Sequence, residues 1–242
     1  MRITIKLAGI PVEIVLEWKN YFPLFSAWST DEPPLLTARA DPHETALARQ
    51  VFPPESTPHY IEHMVLSAAV SDALIPHGRV IFHGVAFRFR DMAWLITAPS
   101  GVGKTTLYLN LKLSFGDEIE MINGDKPILC FGNDGGGITV HPSPWNGKEC
   151  MGQRISAPLG GIILLSRGEN TMRLADMGEA VDDIFRQFIF TPESREHALE
   201  VAKLEDRLLR TVPIWRLESR GDTASAALCR ETIKNYGKGA SV

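Results

Sequence analysis

An α/β fold, with a central β-sheet flanked by helices and a small β-rich lobe at the N-terminus, is predicted by three features of this sequence. Apolar runs of strand length alternate with helical patterns from Pro58 onward. One of those runs, Met92 to Ala98, passes directly into a glycine-rich turn and then into a helix-compatible stretch. The first eighteen residues alternate apolar and polar side chains around Ala-Gly-Ile-Pro, as a hairpin does.

At 242 residues, 44% hydrophobic and 22% charged, the chain can bury enough apolar surface to fold as one large domain or a domain with an appended lobe. The division expected is a lobe and connector over 1–57 and a core over 58–242. Twenty-five Lys and Arg stand against 29 Asp and Glu, a net charge of -4, the wrong sign for a protein that must displace counterions along a nucleic acid. No apolar run is long enough for a membrane span and the N-terminus lacks a signal-peptide core, so a cytoplasmic protein is expected. Cys130, Cys150 and Cys229 match neither a disulfide framework nor a zinc spacing and read as reduced thiols.

In chain order, Arg2 to Leu7 and Val12 to Trp18 read as two paired strands, which need a packing partner because a lone hairpin is marginal in water. Asp31 to Pro58, broken by prolines, reads as a connector with a short helix around Glu44 to Gln50. From Pro58 to Leu74 the apolar positions Ile61, Val65, Ala69 and Ala73 recur every four residues, and Pro76 and Gly78 end that helix. Arg79 to Arg90 and Met92 to Ala98 are β-rich, the second apolar enough to be covered on both faces. A helix over Lys104 to Lys112, a strand ending near Asp125, and strands at Lys126 to Phe131 and Gly137 to His141 follow. Leu159 to Ser166 reads as a buried strand, Asp176 to Phe190 and Glu193 to Arg210 as helices, and Thr211 to Ser219 as a strand. The last helix starts at Asp222 and stops at Gly237.

The strongest chemical signal is Ala98-Pro-Ser-Gly-Val-Gly-Lys-Thr105, one residue short of the pattern G-x-x-x-x-G-K-[ST], with Ala98 at the first glycine. Gly101 and Gly103 permit the dihedrals that let successive N–H groups, from Ser100, Gly101, Val102, Gly103, Lys104, Thr105 and Thr106, converge on a phosphate at the next helix's N-terminus. Lys104 is placed to reach the β and γ phosphates, and the Thr105 hydroxyl to ligate Mg2+. Asp125 is the first candidate carboxylate: it would hold the metal, directly or through water, or accept the acceptor hydroxyl's proton, although Asn-Gly-Asp is also good turn chemistry. The Pro142-to-Glu149 loop places Lys148 beside Glu149, a cation and a carboxylate able to close over the γ-phosphate; alternatively it is a solvated loop whose Trp145 covers the core. His83, before the loop-bearing strand, and the cations Arg154 and Arg167 complete the candidate catalytic set, each with a structural role as its rival; Arg167 ends a buried strand, where α/β sheets meet their ligands.

Ala98 to Thr106, Asn-Gly-Asp-Lys-Pro at 123 to 127, Pro-Trp-Asn-Gly-Lys-Glu at 144 to 149 and Leu-Ser-Arg-Gly-Glu-Asn at 165 to 170, in that order, resemble the HPr kinase/phosphorylase and phosphoenolpyruvate carboxykinase-like group of P-loop proteins, and within it the bacterial HPr-kinase-related, serine-kinase-like proteins. The resemblance spans roughly residues 58 to 236. It implies a mixed central sheet, ATP and Mg2+ as ligands, and phosphoryl transfer to a hydroxyl, commonly a serine, of a protein, peptide or small molecule. It also places Asp125 at the family's metal and catalytic carboxylate position. Gly124 departs from the Asp-Asp pair of HPr kinases, so one carboxylate does both jobs or Glu149 replaces the missing one, and the N-terminal region does not resemble the usual HPr kinase regulatory domain. Relatives often assemble, and the N-terminal hairpin is a candidate interface for a homo-oligomer. The expectation is therefore a kinase, with two rivals: a non-catalytic nucleotide sensor, and carboxykinase chemistry, whose extra ligands this sequence does not place.

Overall fold

The computed structural model describes residues 1–191 and 195–239. Strands β1 (Arg2–Leu7) and β2 (Ile10–Val15) form the expected hairpin, antiparallel with Leu7 opposite Ile10. The second strand begins and ends earlier than its alternation predicts. Ala8 and Gly9, both at positive φ, make the turn in two residues, so Pro11 already lies in the strand. At the other end Trp18 leaves the ladder because buried Glu62 accepts the N–H groups of Glu17 and Trp18.

The stretch expected as a connector is more ordered than its prolines imply. It contains α1 (Phe22–Ser26), β3 (Leu36–Arg39), which adds parallel to β2, and α2 (Pro42–Val51), capped by the Asp41 carboxylate on the N–H groups of His43 and Glu44. Helix α3 (Pro58–Leu74) spans the predicted residues. Its Leu66, Val70 and Leu74 join Ile5, Leu7, Val12, Ile14 and Phe25 of the small lobe, and Ile81, Ile128 and Trp145 beyond it, in one buried cluster. The hairpin's missing partner is therefore α3.

The remaining strands are β4 (Arg79–Phe82), β5 (Val85–Phe89), β6 (Met92–Thr97), β7 (Ile119–Asn123), β8 (Ile128–Phe131), β9 (Ile138–His141), β10 (Ala157–Arg167), β11 (Thr171–Leu174), β12 (Phe188–Ile189) and β13 (Ile214–Ser219). They form one ten-stranded mixed sheet among the described residues, ordered β12-β4-β8-β9-β10-β6-β5-β7, with β13 on β10 and β11 on β13. β10 joins its two halves. Ala157 and Pro158 pair antiparallel with β9, and the rest of the strand pairs parallel with β6 on one side and β13 on the other. Helix α4 (Lys104–Phe115) packs with α7 (Thr223–Gly239) on one face, while α5 (Met177–Phe185) and α6 (Arg195–Thr211) cover a second cluster that includes Leu95, Ile122, Ile162 and Ile184.

Several boundaries move for identifiable reasons. The run Arg79 to Arg90 is two strands, broken at His83-Gly84, because a Cβ on Gly84 would lie 2.9 Å from the Ile96 carbonyl oxygen and only glycine can make that approach. The predicted helix 176–190 ends at Phe185. Phe188 turns instead into a short strand on β4, where its ring meets Phe82 edge-on at 5.3 Å. The start expected for the next helix, Glu193, lies outside the described residues. Pro127 and Pro213 precede strands that begin only at Ile128 and Ile214, and α7 runs past Gly237 to Gly239. Among the described residues no helix is long and apolar enough to cross a membrane.

One buried acid marks the interface of α5 and α6. Glu205 is 5% exposed and its Oε1 has no hydrogen-bond partner among the described residues; burial, with Asp182 nearby, raises its pKa from 4.5 to about 7. The folded state thus holds an extra proton between those values, and stability falls as pH rises from about 4.5 to about 7 and stays lowered above. Glu205→Gln is expected to raise the melting temperature at pH 8 and to change it little at pH 5. Equal shifts at the two pH values would contradict this.

Candidate functional site

The site forms where the parallel strands end. β6 runs into buried Ala98, and the chain then turns through Gly101 at φ +79° and Gly103 at φ +119° before α4 begins at Lys104. A side chain at either glycine would meet no protein atom within 4 Å, so it is the left-handed backbone that demands glycine, and the loop faces open space. Lys104 is 9% exposed and folds back over the loop, its Nζ donating to the Ala98 carbonyl at 2.9 Å and lying 3.5 Å from that of Pro99. Arg167, at the end of β10, donates to the Gly101 carbonyl at 3.2 Å. Ser100, Gly101 and Thr106 are exposed, and Val102, Gly103 and Thr105 are half-buried.

The second wall is the turn after β7. Asn123 is fully buried; its Nδ2 donates to the Ser143 carbonyl (3.1 Å) and hydroxyl (3.2 Å), and its Oδ1 accepts the N–H groups of Asp125 (2.9 Å) and Lys126 (2.7 Å). The N–H of Gly124 donates to Asn146 Oδ1 at 2.6 Å, and that of Gly84 to the Asp125 carbonyl at 2.8 Å. Three segments, 83–84, 123–126 and 143–146, are therefore bonded together around Asp125. Its Oδ2 is 2.5 Å from Lys126 Nζ, and its Oδ1 is 3.7 Å from His83 Nε2.

The electrostatics follow from burial between two ammonium groups. Desolvation, then the Lys104 charge, lowers the His83 pKa, with Asp125 opposing. Desolvation also lowers that of Lys104, Asp125 again opposing. His63, stacked on Tyr21 with centroids 4.0 Å apart and near Trp145 at 5.8 Å, is lowered to about 3 by burial and by Lys126. His83 Nδ1 lies 3.1 Å from Gln187 Oε1, and the Gln187 amide nitrogen donates to the Asp183 carbonyl. That network places the imidazole proton on Nδ1 and leaves Nε2 a lone pair beside Asp125.

Of the residues singled out from sequence, His83, Lys104 and Asp125 meet in this cleft, and Arg167 touches the glycine loop. Lys148 and Glu149 are exposed and make no hydrogen bond or ion pair among the described residues; they follow Gly147, where a Cβ would stand 3.5 Å from that of Asp125. Arg154 is engaged elsewhere: its guanidinium donates to the Ala27 carbonyl and lies over the Trp28 ring at 4.6 Å. Lys126, Asn123, Asn146, Gln187 and His63 were not foreseen. Lys126 stands in the run already singled out at 123–127, but a turn lysine reads as solvated; Gln187 is 104 residues from His83 and carries no signal at all.

An anionic phosphate fits this cradle: open left-handed glycines, the first turn of a twelve-residue helix and a buried lysine. No group of three or more His, Cys, Asp or Glu among the described residues can hold a metal by itself, whereas Thr105 and Asp125 can supply two of the oxygens that Mg2+ takes alongside phosphate and water.

No family model matches the sequence, and no curated protein matches it. Among solved structures, the Hpr(Ser) kinase/phosphatase from Coxiella burnetii is similar with a TM-score of 0.41 and 11% identity, covering 67% of this chain and 99% of that one. The likeness is distant, so the chemistry of the site rests on this chain's own residues.

Asn123→Ala removes a fully buried amide and strands the Ser143 carbonyl and the Asp125 N–H, while the Lys126 N–H keeps the Trp145 carbonyl at 3.0 Å. The expected loss is about 2–3 kcal/mol, read as a lower urea midpoint at unchanged m. A loss below about 0.5 kcal/mol would mean the turn holds without it.

Proposed function

We propose that this chain is an ATP- and Mg2+-dependent kinase that transfers a phosphoryl group to a hydroxyl of a protein, peptide or small molecule. One observation carries the reading: a buried lysine at the head of a helix, behind two left-handed glycines, shares its cleft with a single carboxylate and a neutral imidazole. The loop N–H groups and Lys104 would hold the β and γ phosphates, and Thr105 and Asp125 the metal, which supplies charge neutralisation. Asp125 Oδ1 and His83 Nε2, 3.7 Å apart, are both acceptors, and a hydroxyl set between them can give up its proton as its oxygen bonds to the γ-phosphorus and the β–γ bridge breaks. Arg167, bonded to Gly101, would steady the loop. Lys148, Glu149 and Arg154 would require movement to take part.

A non-catalytic nucleotide sensor is the second reading. In its favour, Lys126 holds one Asp125 oxygen at 2.5 Å, leaving the other to serve both metal and proton transfer. Incubation with γ-labelled ATP and a peptide and metabolite extract separates the two: transferred label supports the kinase, binding without transfer the sensor.

At a ligand concentration about 100 times Kd, nucleotide should stabilise the fold by roughly 2.7 kcal/mol. For a chain of this length that is a melting shift of about 5–10 °C with ADP or ATP plus Mg2+. Lys104→Met should remove the shift and the label transfer while the protein remains folded; an unchanged shift would end the assignment.

A further inference from the structure

The turn after β7 carries a second buried cation that phosphate binding by Lys104 does not account for. Lys126 is 5% exposed, and among the described residues its Nζ has two polar partners, Asp125 Oδ2 at 2.5 Å and Met64 Sδ at 3.8 Å. Its main chain is equally fixed, the N–H shared by Asn123 Oδ1 and the Trp145 carbonyl and its own carbonyl accepting the Ser143 hydroxyl. A buried ammonium is costly unless paired, so this lysine cannot leave the carboxylate it touches without a penalty. Position 124, meanwhile, has no room for a second acid: a Cβ there would lie 2.7 Å from the Asn146 carbonyl oxygen. The turn can present one carboxylate only, with a lysine clamped to one of its two oxygens.

We propose that Lys126 is the positioning residue of this site: by holding Oδ2 it turns Asp125 Oδ1 toward His83 Nε2 and the incoming acceptor. The proposal rests on the phosphoryl-transfer reading above and names the device that makes a lone carboxylate sufficient. Lys126 acts through Asp125, so it matters to the phosphoryl group in transit and not to the nucleotide diphosphate, which Lys104 and the loop hold. This separates Lys126 from a merely structural lysine.

The test uses the full chain and needs no acceptor: binding of ADP with Mg2+ is compared with binding of the same mixture plus aluminium fluoride, a mimic of the phosphoryl group between donor and acceptor. The wild type should bind the fluoride complex more tightly than ADP alone. Lys126→Met should weaken the fluoride complex at least tenfold while ADP affinity stays within threefold, and Lys126→Arg should recover part of the loss. In an Asp125→Asn background, Lys126→Met should add less than a twofold further loss. The proposal is overturned if Lys126→Met binds both ligands as the wild type does, or if the two substitutions weaken the fluoride complex by the product of their separate effects. Should Lys126→Met fail to fold, the double variant, which leaves no unpaired buried charge, is compared with Asp125→Asn alone: a further loss below twofold supports the proposal and a larger one overturns it. ADP binding without any gain from fluoride in the wild type overturns the role of Lys126 but leaves the nucleotide site standing; no binding of either removes both.

Discussion

The amide of Asn123 is the constraint on which the site depends. It is fully buried at the end of β7, and inside a protein each of its polar atoms must find a partner. It finds them on both sides: the Ser143 carbonyl and hydroxyl for its nitrogen, the N–H groups of Asp125 and Lys126 for its oxygen. One side chain thus closes the turn that aims Asp125 and Lys126 and fastens that turn to the loop carrying Trp145 and Asn146. The Asn146 side chain completes the fastening by accepting the Gly124 N–H, and Gly152 comes so near that a Cβ there would lie 2.4 Å from Asn146 Oδ1.

Helix α3 links this cleft to the N-terminal sheet. Three successive residues on it do different work: Glu62 binds the N–H groups of Glu17 and Trp18, His63 stacks on Tyr21 and gives its carbonyl to the Trp145 indole, and Met64 lies against the Lys126 ammonium. The three-stranded sheet β1-β2-β3 thus meets α3 by packing, and among the described residues the side-chain partners of Asp125 are His83 and Lys126.

What sequence patterns made legible was local. The spacing of apolar residues in α3, the two glycines before Lys104 and the helix that follows them each reflect the preference of a short stretch for its own backbone geometry. The patterns failed where a distant contact outweighed that preference. Phe188 continues a helical stripe, yet pairing with β4 and the edge contact with Phe82 draw it into a strand. Leu36–Arg39 is a weak strand by itself and exists because β2 offers it a ladder. Lys148 and Glu149, adjacent and charged, are both exposed, whereas the ion pair beside His83 is that of Asp125 with Lys126.

The sequence by itself determined a strand, a left-handed glycine turn and a lysine-headed helix, since those follow from dihedral freedom and residue order within about a dozen positions. Only the tertiary structure decided what faces that turn. Residues 83, 125, 145 and 187 become neighbours because β4 lies between β8 and β12 and because β7 ends beside the loop after β9, and strand order is set by burial of whole faces rather than by any local run. The lysine that meets Asp125 is buried for the same reason: packing beneath α3, not its place in a polar turn, removed it from water.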